Sequence, residues 1–447
     1  MQFPVKGTPH EQLSAQMRDA LALDADWRGG RIWSLVYFAG DDVAEVLKDA
    51  YSAAFFTNGL GPGAFKSLKK FESEVVAMTA DLLGCPGAVG NMTSGGTESI
   101  LMAVKTARDW ARAKKGIAEP EMVLPVTAHP AFDKAAHYLG VKPVHIPVRE
   151  DLRADVEAAR AALTDNTALV VGSAPCYPFG AIDPIAELAA LARERGVCCH
   201  VDACLGGYLL PFLARLGYQV APWDFSVPGV TSISADNHKY GFAARGASSI
   251  LYRDRELRRH QFFTATDWPG GLYGSPTMTG SRPGGAIAAA WAVLNYLGED
   301  GYVRLARTIM ETTRALIDGI NAIPGLYVMG KPDMSVFAFT SDSVDIYAVA
   351  DALDASGWHP DRQQMPPSLH LMVTPAHRDI VEPFLADLRT AVRGAAQGPA
   401  PSGSAAIYGM LGTVPDRGVV RKVILDFIDG LTRPEEAPAA ETGADRR

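Results

Sequence analysis

One lysine in this sequence stands where a protein could use it for chemistry. Lys239 follows His238 at the end of a β-branched strand pattern, 231–234, and precedes a glycine-rich stretch, 240–246. A lysine in this position is presented at the edge of a sheet, where its amine could form a Schiff base with an aldehyde. Most lysines are solvated at the surface, so Lys239 taken alone would more often be an ordinary surface residue. The residues around it have to show whether it has a chemical role.

A carboxylate occupies a similar place at the end of an earlier strand pattern. The apolar run 197–201 ends in Asp202, which Ala203 and a Cys-Leu-Gly-Gly turn follow. Ligands of α/β proteins bind at the carboxyl ends of parallel strands, and burying a carboxylate without a cationic partner is costly. A protonated pyridine nitrogen is such a partner. Asp202 could instead bind a metal or cap a helix, although no second carboxylate stands nearby in the sequence to complete a metal site.

A glycine-rich turn upstream could bind a phosphate. Ser94, Gly95, Gly96 and Thr97 immediately precede a helical pattern that runs to Lys115. Glycines let backbone amides approach a phosphate, hydroxyls add donors, and the helix dipole favours the negative charge. The same residues would also make an ordinary helix cap, so the turn by itself does not identify a site.

Together the three groups match the aldehyde, the pyridine nitrogen and the phosphate of pyridoxal phosphate. An ion pair between Asp202 and the ring nitrogen would keep the ring protonated and make it an electron sink. His129 follows another strand pattern and would stack on the ring, although a lone histidine is more often structural. We also assign Ser234, Ala203 and His238 to the cofactor site, with His238 bracing the phosphate or the turn at the lysine.

The elements that must position these residues lie between residues 68 and 287. There, helical patterns alternate with short apolar runs of strand length, which is typical of a parallel sheet covered by helices on both faces. Predicted strands are 121–126, 144–148, 168–173, 197–201 and 231–234, and predicted helices are 97–115, 131–139, 155–163 and 183–195. The sequence therefore predicts an α/β fold with its site at the carboxyl ends of the strands.

A change of pattern predicts a second, smaller domain. A glycine- and proline-rich cluster, 270–285, precedes an apolar helix, and from residue 301 onward the pattern is that of an α+β unit. We therefore predict an N-terminal segment, a large cofactor-binding domain, a small C-terminal domain and a disordered tail, at residues 1–60, 61–297, 298–432 and 433–447. A linker rich in Gly, Pro and Ser is predicted at 397–404.

The composition favours a globular protein that acts on a small molecule. The chain has 447 residues, of which 48% are hydrophobic, and a net charge of −8. It has no wide block of Lys and Arg that would recruit nucleic acid or an anionic membrane. The N-terminus lacks a signal-peptide core, no run reaches the roughly 18 apolar residues of a membrane span, and the cysteines fit reduced thiols, so we expect a cytoplasmic protein without a metal.

The same residues carry a family resemblance that extends from about residue 3 to residue 409. The sequence closely resembles the sphingosine-1-phosphate lyases, a branch of the group II pyridoxal-phosphate decarboxylases. The resemblance lies in four runs: Thr93-Ser-Gly-Gly-Thr-Glu-Ser99, His200-Val-Asp-Ala-Cys-Leu-Gly-Gly207, Thr231-Ser-Ile-Ser-Ala-Asp-Asn-His-Lys-Tyr-Gly241 and Gly280-Ser-Arg-Pro-Gly-Gly285.

The resemblance implies a pyridoxal-phosphate enzyme of fold type I, the aspartate-aminotransferase-like fold, built as a homodimer with a shared active site. It implies that Ser275 and Thr277 reach the cofactor phosphate of the neighbouring subunit. It also implies cleavage of a long-chain 2-amino-3-hydroxy 1-phosphate between C2 and C3, to a fatty aldehyde and phosphoethanolamine. Tyr37 and Tyr177 match active-site tyrosines suited to proton transfer, although either could be a packed aromatic. Catalytic candidates are thus Lys239, His129, Tyr37 and Tyr177.

The sequence departs from the family pattern on the substrate side. In Asn58-Gly-Leu-Gly61, glycine replaces a histidine that family members use for the substrate phosphate, a loss worth about 1.5 to 3 kcal/mol. The small pair before Val-Tyr is Ser34-Leu35, and a family lysine is Arg245, which still binds phosphate. Candidates for substrate binding are Asn58, Arg245, Tyr37 and Leu35.

Three functions stay open on the sequence. The leading hypothesis is the carbon–carbon lyase. A related lyase or amino-acid decarboxylase acting on a non-phosphorylated substrate would fit the changes at Ser34, Leu35 and Gly61. A catalytically silent homologue that serves as a scaffold is the third, and the presence of Lys239 and Asp202 argues against it. The product, aldehyde or carbon dioxide, separates the first two.

Overall fold

The computed structural model describes residues 3–397, 414 and 416–431 of the chain. The tail predicted at 433–447 lies outside the described residues, as does the predicted linker 397–404 beyond its first residue. Within the described part, we find no helix with the length and apolar character needed to cross a membrane.

A seven-stranded sheet forms the centre of the larger domain. Its strands are β1 (Val89–Thr93), β2 (Glu121–Pro125), β3 (Lys142–Ile146), β4 (Thr167–Ser173), β5 (Cys198–Asp202), β6 (Ser232–Ala235) and β7 (Ser248–Tyr252). They lie in the order β1-β7-β6-β5-β4-β2-β3. Neighbours from β2 to β6 pair in parallel, and β7 is antiparallel to both β1 and β6. The sequence predicted β2 to β6 but not β1 and β7, whose serines, threonine and asparagine interrupt the apolar pattern.

Helices cover both faces of this sheet. The helices up to residue 259 are α1 (His10–Leu21), which has no buried residue, α2 (Asp41–Ala53), α3 (Lys66–Leu82), α4 (Gly96–Lys115), α5 (Ala131–Leu139), α6 (Val156–Ala162), α7 (Ile185–Arg195), α8 (Leu210–Arg215) and α9 (Arg255–Arg259), with a 3₁₀ turn at Gly206–Tyr208. Successive residues of β4 belong to different cores: Leu169 packs in the cluster that contains Ile100 of α4, and Val170 in the cluster that contains Leu188 of α7. This alternation buries all of β4, as a parallel strand between two helical layers requires.

The smaller domain is built on a four-stranded antiparallel sheet. Its strands, in the order β10-β11-β13-β12, are β10 (Leu326–Val328), β11 (Val336–Ser341), β12 (Asp361–Gln364) and β13 (Pro367–Met372), and a separate ribbon pairs β8 (Phe263–Ala265) with β9 (Tyr273–Ser275). The remaining helices are α10 (Gly284–Asn321), α11 (Ile346–Ala355), α12 (Val381–Ala395) and α13 (Arg417–Leu431), with a 3₁₀ segment at Pro375–Ile380.

The N-terminal segment joins the core of the smaller domain. Trp33 is fully buried there, its ring stacks on His377 at 4.4 Å, and its carbonyl accepts from Met372 N at 2.8 Å. The segment therefore brings the residues after Trp33 against the end of β13. The predicted boundary near residue 298 falls inside α10, where Gly298 has φ +55° and kinks the helix.

These two units confirm the expected fold class, which is a mostly parallel seven-stranded sheet with a smaller α+β domain. The exact limits of the predicted domains stay predictions. The carboxyl ends of β4, β5 and β6 point to the same edge of the large sheet, and the smaller domain approaches that edge through Met372, which lines the same cavity as Ser173 and Asp202.

Candidate active site

A cavity of about 500 Å³ opens at this edge. Its wall on the side of the large domain contains the predicted cofactor residues, and we call it the cofactor wall: Ser94, Gly95, Gly96, Thr97, His129, Asp202, His238 and Lys239. The opposite wall, which we call the substrate wall, consists of Ser34, Leu35, Tyr37, Tyr177, Arg245 and Met372. The fold thus brings most of the sequence-predicted residues around one space, although they come from distant parts of the chain.

The lysine of the cofactor wall is paired with a buried carboxylate that sequence reasoning did not assign. Lys239 Nζ lies 3.0 Å from Asp236 Oδ2, and Asp236 is 1% exposed. Burial acts to lower the pKa of Lys239, but the Asp236 carboxylate outweighs it, so this pKa lies above its ordinary value. The lysine is therefore held as an ammonium while no aldehyde is bonded to it. A signal was present in the sequence, because Asp236 stands three residues before the lysine.

Asp202 ends β5 with one of its oxygens uncommitted. Cys204 N donates to Oδ1 at 3.1 Å and Ser234 Oγ donates to the same oxygen at 3.3 Å. No described residue donates to Oδ2, although Asp202 is only 8% exposed. This oxygen is free toward the cavity, where a cationic or N–H group could pair with it, and a protonated pyridine nitrogen is such a group. The donor set of this wall therefore fits pyridoxal phosphate.

Two predicted cofactor residues lie behind the wall instead of lining it. Ser234 is fully buried and bonds to Asp202 and to His200 Nε2, the latter at 3.2 Å. Ala203 is also fully buried, and its amide donates to Ser234 O at 3.0 Å. Neither residue lines the cavity, and their assignment to the cofactor site stays a prediction. Ser234 instead orients the carboxylate of Asp202.

The glycine-rich turn offers fewer donors than the sequence predicted. Glu98 accepts from Ser94 N at 2.7 Å and from Ser94 Oγ at 2.6 Å, so both polar groups of the serine are committed. The amides of Gly95, Gly96 and Thr97 have no acceptor among the described residues and begin α4. A Cβ on Gly96 would lie 2.8 Å from Asp236 Oδ2, so the close approach requires glycine. These three free amides at a helix N-terminus suit a phosphate.

The loop of Ser275 and Thr277 does not reach the cavity of its own chain. Ser275 Oγ donates to Thr277 O at 3.0 Å, and Thr277 Oγ1 donates to Thr279 O at 2.8 Å. Met278 N donates to Glu98 at 2.9 Å. Glu98, which sequence reasoning missed, therefore joins this loop to the glycine-rich turn. A role for the loop in a neighbouring subunit stays a prediction.

Both histidines of the cofactor wall are held by backbone amides. Ala131 N donates to His129 Nδ1 at 3.1 Å, and Ala247 N donates to His238 Nδ1 at 3.2 Å. Burial lowers the pKa of each imidazole below its ordinary value, so both are neutral with the proton on Nε2. A neutral ring suits the predicted stacking of His129, and His238 Nε2 lies 3.8 Å from Asp236.

On the substrate wall, Tyr37 lies between a thioether and a cation. Its hydroxyl donates to Met372 Sδ at 3.0 Å, and Arg245 Cζ lies 5.4 Å from the centroid of its ring. Burial raises the pKa of Tyr37 well above its ordinary value, with Arg245 opposing that shift. Leu35 lies at the rim with φ +66° and is 73% exposed.

Tyr177 is tied to the smaller domain. Its hydroxyl donates to Asp361 Oδ2 at 2.8 Å, and Ser34 Oγ donates to Asp361 Oδ1 at 3.0 Å. The ring of Tyr177 stacks on His370 with centroids 4.2 Å apart. No sequence pattern pointed to Asp361 or His370, because both lie in β12 and β13, far along the chain from their partners.

Asn58 does not line the cavity of its own chain, and its role in substrate binding stays a prediction. Its Nδ2 donates to Ser281 Oγ at 3.0 Å, and its Oδ1 accepts from Leu60 N at 2.9 Å and Arg282 N at 3.1 Å. The amide thus fixes a turn against the loop before α10. Gly61, where the resemblance has a histidine, also lies outside the cavity lining.

Comparisons with known proteins agree with this geometry. The family described as the pyridoxal-dependent decarboxylase conserved domain matches residues 2–341. The sphingosine-1-phosphate lyase of Arabidopsis thaliana is 48% identical over 96% of this chain and 80% of its own length. The rat sphingosine-1-phosphate lyase 1 is 42% identical over 96% of this chain and 76% of its own length.

Solved structures give the same result. The sphingosine-1-phosphate lyase of Burkholderia pseudomallei is similar with a TM-score of 0.89 and 40% identity, and 97% of each chain is covered. The glutamate decarboxylase of Lactobacillus brevis has a TM-score of 0.78 at 20% identity, covering 90% of this chain and 96% of its own, and this likeness shows the fold alone.

Proposed function

Because the chain belongs to the pyridoxal-dependent decarboxylase family, on its sphingosine-1-phosphate lyase branch, we propose that it is a pyridoxal-phosphate-dependent carbon–carbon lyase. Its substrate is a long-chain 2-amino-3-hydroxy 1-phosphate. Cleavage between C2 and C3 yields a fatty aldehyde and phosphoethanolamine. The observation that carries this proposal is the convergence of Lys239, the free oxygen of Asp202 and the free amides of residues 95–97 on one cavity.

Five residues of the cofactor wall would hold pyridoxal phosphate. Lys239 would bind its aldehyde, Asp202 would pair with its ring nitrogen, His129 would pack on its ring, and Gly96 and Thr97 would donate to its phosphate. When bound, pyridoxal phosphate supplies an electron sink for the pair released onto the amine-bearing carbon. Asp236 then keeps the lysine amine protonated whenever it is not bonded to the cofactor.

In this proposal the substrate wall binds the substrate phosphate and faces the substrate hydroxyl. Arg245 lines the cavity with a guanidinium whose pKa is lowered by burial, and it forms no salt bridge with a described carboxylate, so a substrate phosphate could pair with it. Tyr37 and Tyr177 both line this wall, and their phenol hydroxyls suit proton transfer to or from the substrate hydroxyl. Both phenols stay neutral at physiological pH because burial raises their pKa values.

We further propose a homodimer that works in the cytoplasm. Large apolar side chains stand exposed around the loop before α10 and the end of α2, among them Phe56 at 92% and Leu272 at 86%. Such a surface fits a subunit interface, and it lies beside the loop of Ser275 and Thr277. All five cysteines are free thiols, which fits a reducing compartment.

A product assay tests the proposed function. Purified protein with pyridoxal phosphate is incubated with sphingosine 1-phosphate and, separately, with amino acids, and aldehyde, phosphoethanolamine and carbon dioxide are measured. We expect aldehyde and phosphoethanolamine in equal amounts. Carbon dioxide from an amino acid without any aldehyde would make the protein a decarboxylase and contradict the proposal. The non-phosphorylated amino alcohol is the control that shows what the phosphate contributes.

A further inference from the structure

A carboxylate of the smaller domain lies directly behind the substrate wall. Asp361, at the start of β12, accepts from the hydroxyl of Tyr177 at 2.8 Å and from that of Ser34 at 3.0 Å. Tyr177 and Ser34 both line the cavity, whereas Asp361 does not. The carboxylate is therefore separated from any substrate by one layer of hydroxyl groups.

The direction of these hydrogen bonds is fixed by charge. Burial acts to raise the pKa of Asp361, but its polar neighbours, first among them His370, outweigh burial and keep this pKa below its ordinary value. An ionised carboxylate only accepts hydrogen bonds, so Tyr177 has to direct its proton toward Asp361. The lone pairs of the phenol oxygen then remain for a donor in the cavity.

We propose that Asp361 is a positioning residue that makes Tyr177 the acceptor of the substrate's hydroxyl proton, and this inference rests on the proposed function. As the C2–C3 bond breaks, the hydroxyl proton passes to Tyr177 Oη while the tyrosine's own proton passes to Asp361. The electron pair of the O–H bond becomes the second bond of the aldehyde carbonyl. The pair of the C2–C3 bond stays with the amine-bearing carbon, and Asp361 ends the step as a neutral acid.

The surroundings of Asp361 are suited to this transfer. His370 Nδ1 lies 3.6 Å from Asp361 Oδ2 and has no hydrogen-bond partner within the described residues, while His370 Nε2 bonds to Tyr177 O at 2.9 Å. The other charged or titratable groups that influence this pair are Tyr37 and Lys239. Tyr177 cannot itself ionise at physiological pH, because burial and the adjacent carboxylate raise its pKa, so proton transfer through it requires the acceptor behind it.

Ser34 connects this arrangement to a departure noted in the sequence. Members of the resembled family have a smaller residue where this chain has Ser34. The Ser34 hydroxyl donates a hydrogen bond to Asp361 Oδ1. It holds the carboxylate so that Oδ2 faces Tyr177. The serine thus acts through Asp361, and its removal should weaken the transfer without abolishing it.

The test compares Asp361→Asn, Tyr177→Phe and the double variant in the holoenzyme, using sphingosine 1-phosphate and the corresponding 3-deoxy amine phosphate as an inhibitor. Asparagine keeps the size of the carboxylate but cannot accept a proton. We expect kcat to fall about 100-fold in each single variant, and no further in the double variant, because both changes break the same transfer. The inhibition constant of the 3-deoxy analogue should stay within about twofold, since that ligand has no hydroxyl to deprotonate.

Asp387→Asn is the matched control, because Asp387 is a carboxylate of the smaller domain that accepts from Trp358 Nε1 at 2.8 Å, outside the cavity. It should leave kcat unchanged. A kcat within threefold of wild type in Asp361→Asn, or an equal weakening of the 3-deoxy analogue, would show that Asp361 only joins the two domains and would overturn the inference.

Two further outcomes distinguish a failure of the proposed function from a failure of the inference about Asp361. If the wild-type protein releases no aldehyde, the proposed function fails first and the inference falls with it. If Asp361→Asn does not fold, Tyr177→Phe and Ser34→Ala decide: the inference expects a large loss of kcat in the first and a few-fold loss in the second, both with an unchanged inhibition constant. Equal kcat values in wild type and Tyr177→Phe would overturn it.

Discussion

The two walls of the cavity are built in different ways. On the cofactor wall, Lys239 is paired with Asp236 three residues away, and Asp202 is held by Ser234 on the neighbouring strand. On the substrate wall, the bond from Tyr177 to Asp361 spans 184 residues, and that from Ser34 to the same carboxylate spans 327. The cofactor wall belongs to one sheet, whereas the substrate wall is a joint between two domains. Changes in the first should act on cofactor chemistry alone, and changes in the second on substrate chemistry and domain contact together.

Among the variants that test this comparison, Lys239→Ala should have the largest effect. The variant removes the amine that binds the cofactor aldehyde, so we expect the visible absorption of the bound cofactor to change and activity to fall at least about 1000-fold. Absorption spectra and aldehyde release measure both. Lys114→Ala, an exposed lysine paired with Glu256, is the control and should leave both unchanged. A variant that keeps the wild-type spectrum and rate would place the cofactor elsewhere.

Asp202→Asn tests the same wall without removing the covalent bond. Asparagine can still bond to a ring nitrogen but no longer keeps it protonated, so we expect kcat to fall about 100-fold with the cofactor still bound. Ser234→Ala should lower kcat less, because it only allows the Asp202 carboxylate to rotate. If both variants altered the affinity for the substrate more than kcat, the separation between the two walls would not hold.

Each wall also has a buried histidine behind it, and both should make the fold sensitive to acid. His200 bonds to Ser232 and Ser234, and His377 stacks on Trp33, two residues before Leu35. Burial lowers the pKa of each to about 4, from an ordinary value of 6.5. Each histidine is neutral in the folded protein. Its contribution to the free energy of unfolding is therefore complete above pH 6.5 and is lost as the pH falls toward 4.

As the pH falls, the imidazole takes up a proton in the unfolded state before it does so in the folded state. For each histidine we therefore expect the free energy of unfolding to decrease by about 2 kcal/mol between about pH 8 and pH 5. Denaturant titrations of the wild type, His200→Gln and His377→Gln measure this dependence. Each substitution should remove its own share of the slope with pH, even where it lowers stability at neutral pH. An unchanged slope in either variant would mean that water reaches that imidazole in the folded state.

The difference between the walls also explains what the sequence could predict. Lys239, Asp202 and the glycine-rich turn each sit in a short continuous run at the end of a strand, so local pattern and the rule for parallel sheets placed them together. The orientation of Ser234 and Ala203 was not predictable in this way, because it depends on strand register. The parallel strands themselves were visible as apolar runs.

The substrate wall has no such local signal. Asp361 begins a short strand whose four residues, Asp-Arg-Gln-Gln, are all polar, so nothing in the pattern distinguishes it from a surface carboxylate. Ser34 reaches it through packing of the N-terminal segment on the smaller domain, which Trp33 anchors, and Tyr177 reaches it from the loop after β4. Contacts of that range depend on the complete tertiary structure.

The smallest expected effect concerns Leu35, at the rim of the substrate wall. Its φ of +66° lies in the left-handed region, which costs a residue with a side chain about 1 to 2 kcal/mol. Leu35→Gly would remove that strain. The same change loosens the unfolded chain by about 0.5 to 1 kcal/mol, and it gives up about 0.5 kcal/mol of burial, since the side chain is already 73% exposed.

These contributions nearly cancel, so the free energy of unfolding of Leu35→Gly should stay within about 0.5 kcal/mol of wild type. Leu23→Gly is the matched control, because Leu23 is 88% exposed and is not among the residues with positive φ, and it should lose stability without any compensating relief. Denaturant titration of the two variants compares them directly. A loss above about 1.5 kcal/mol in Leu35→Gly would mean that the leucine supports the joint between the domains. The substrate wall would then depend on its rim as much as on Asp361, and a smaller residue at position 35 could not be introduced without disturbing Tyr37 beside it.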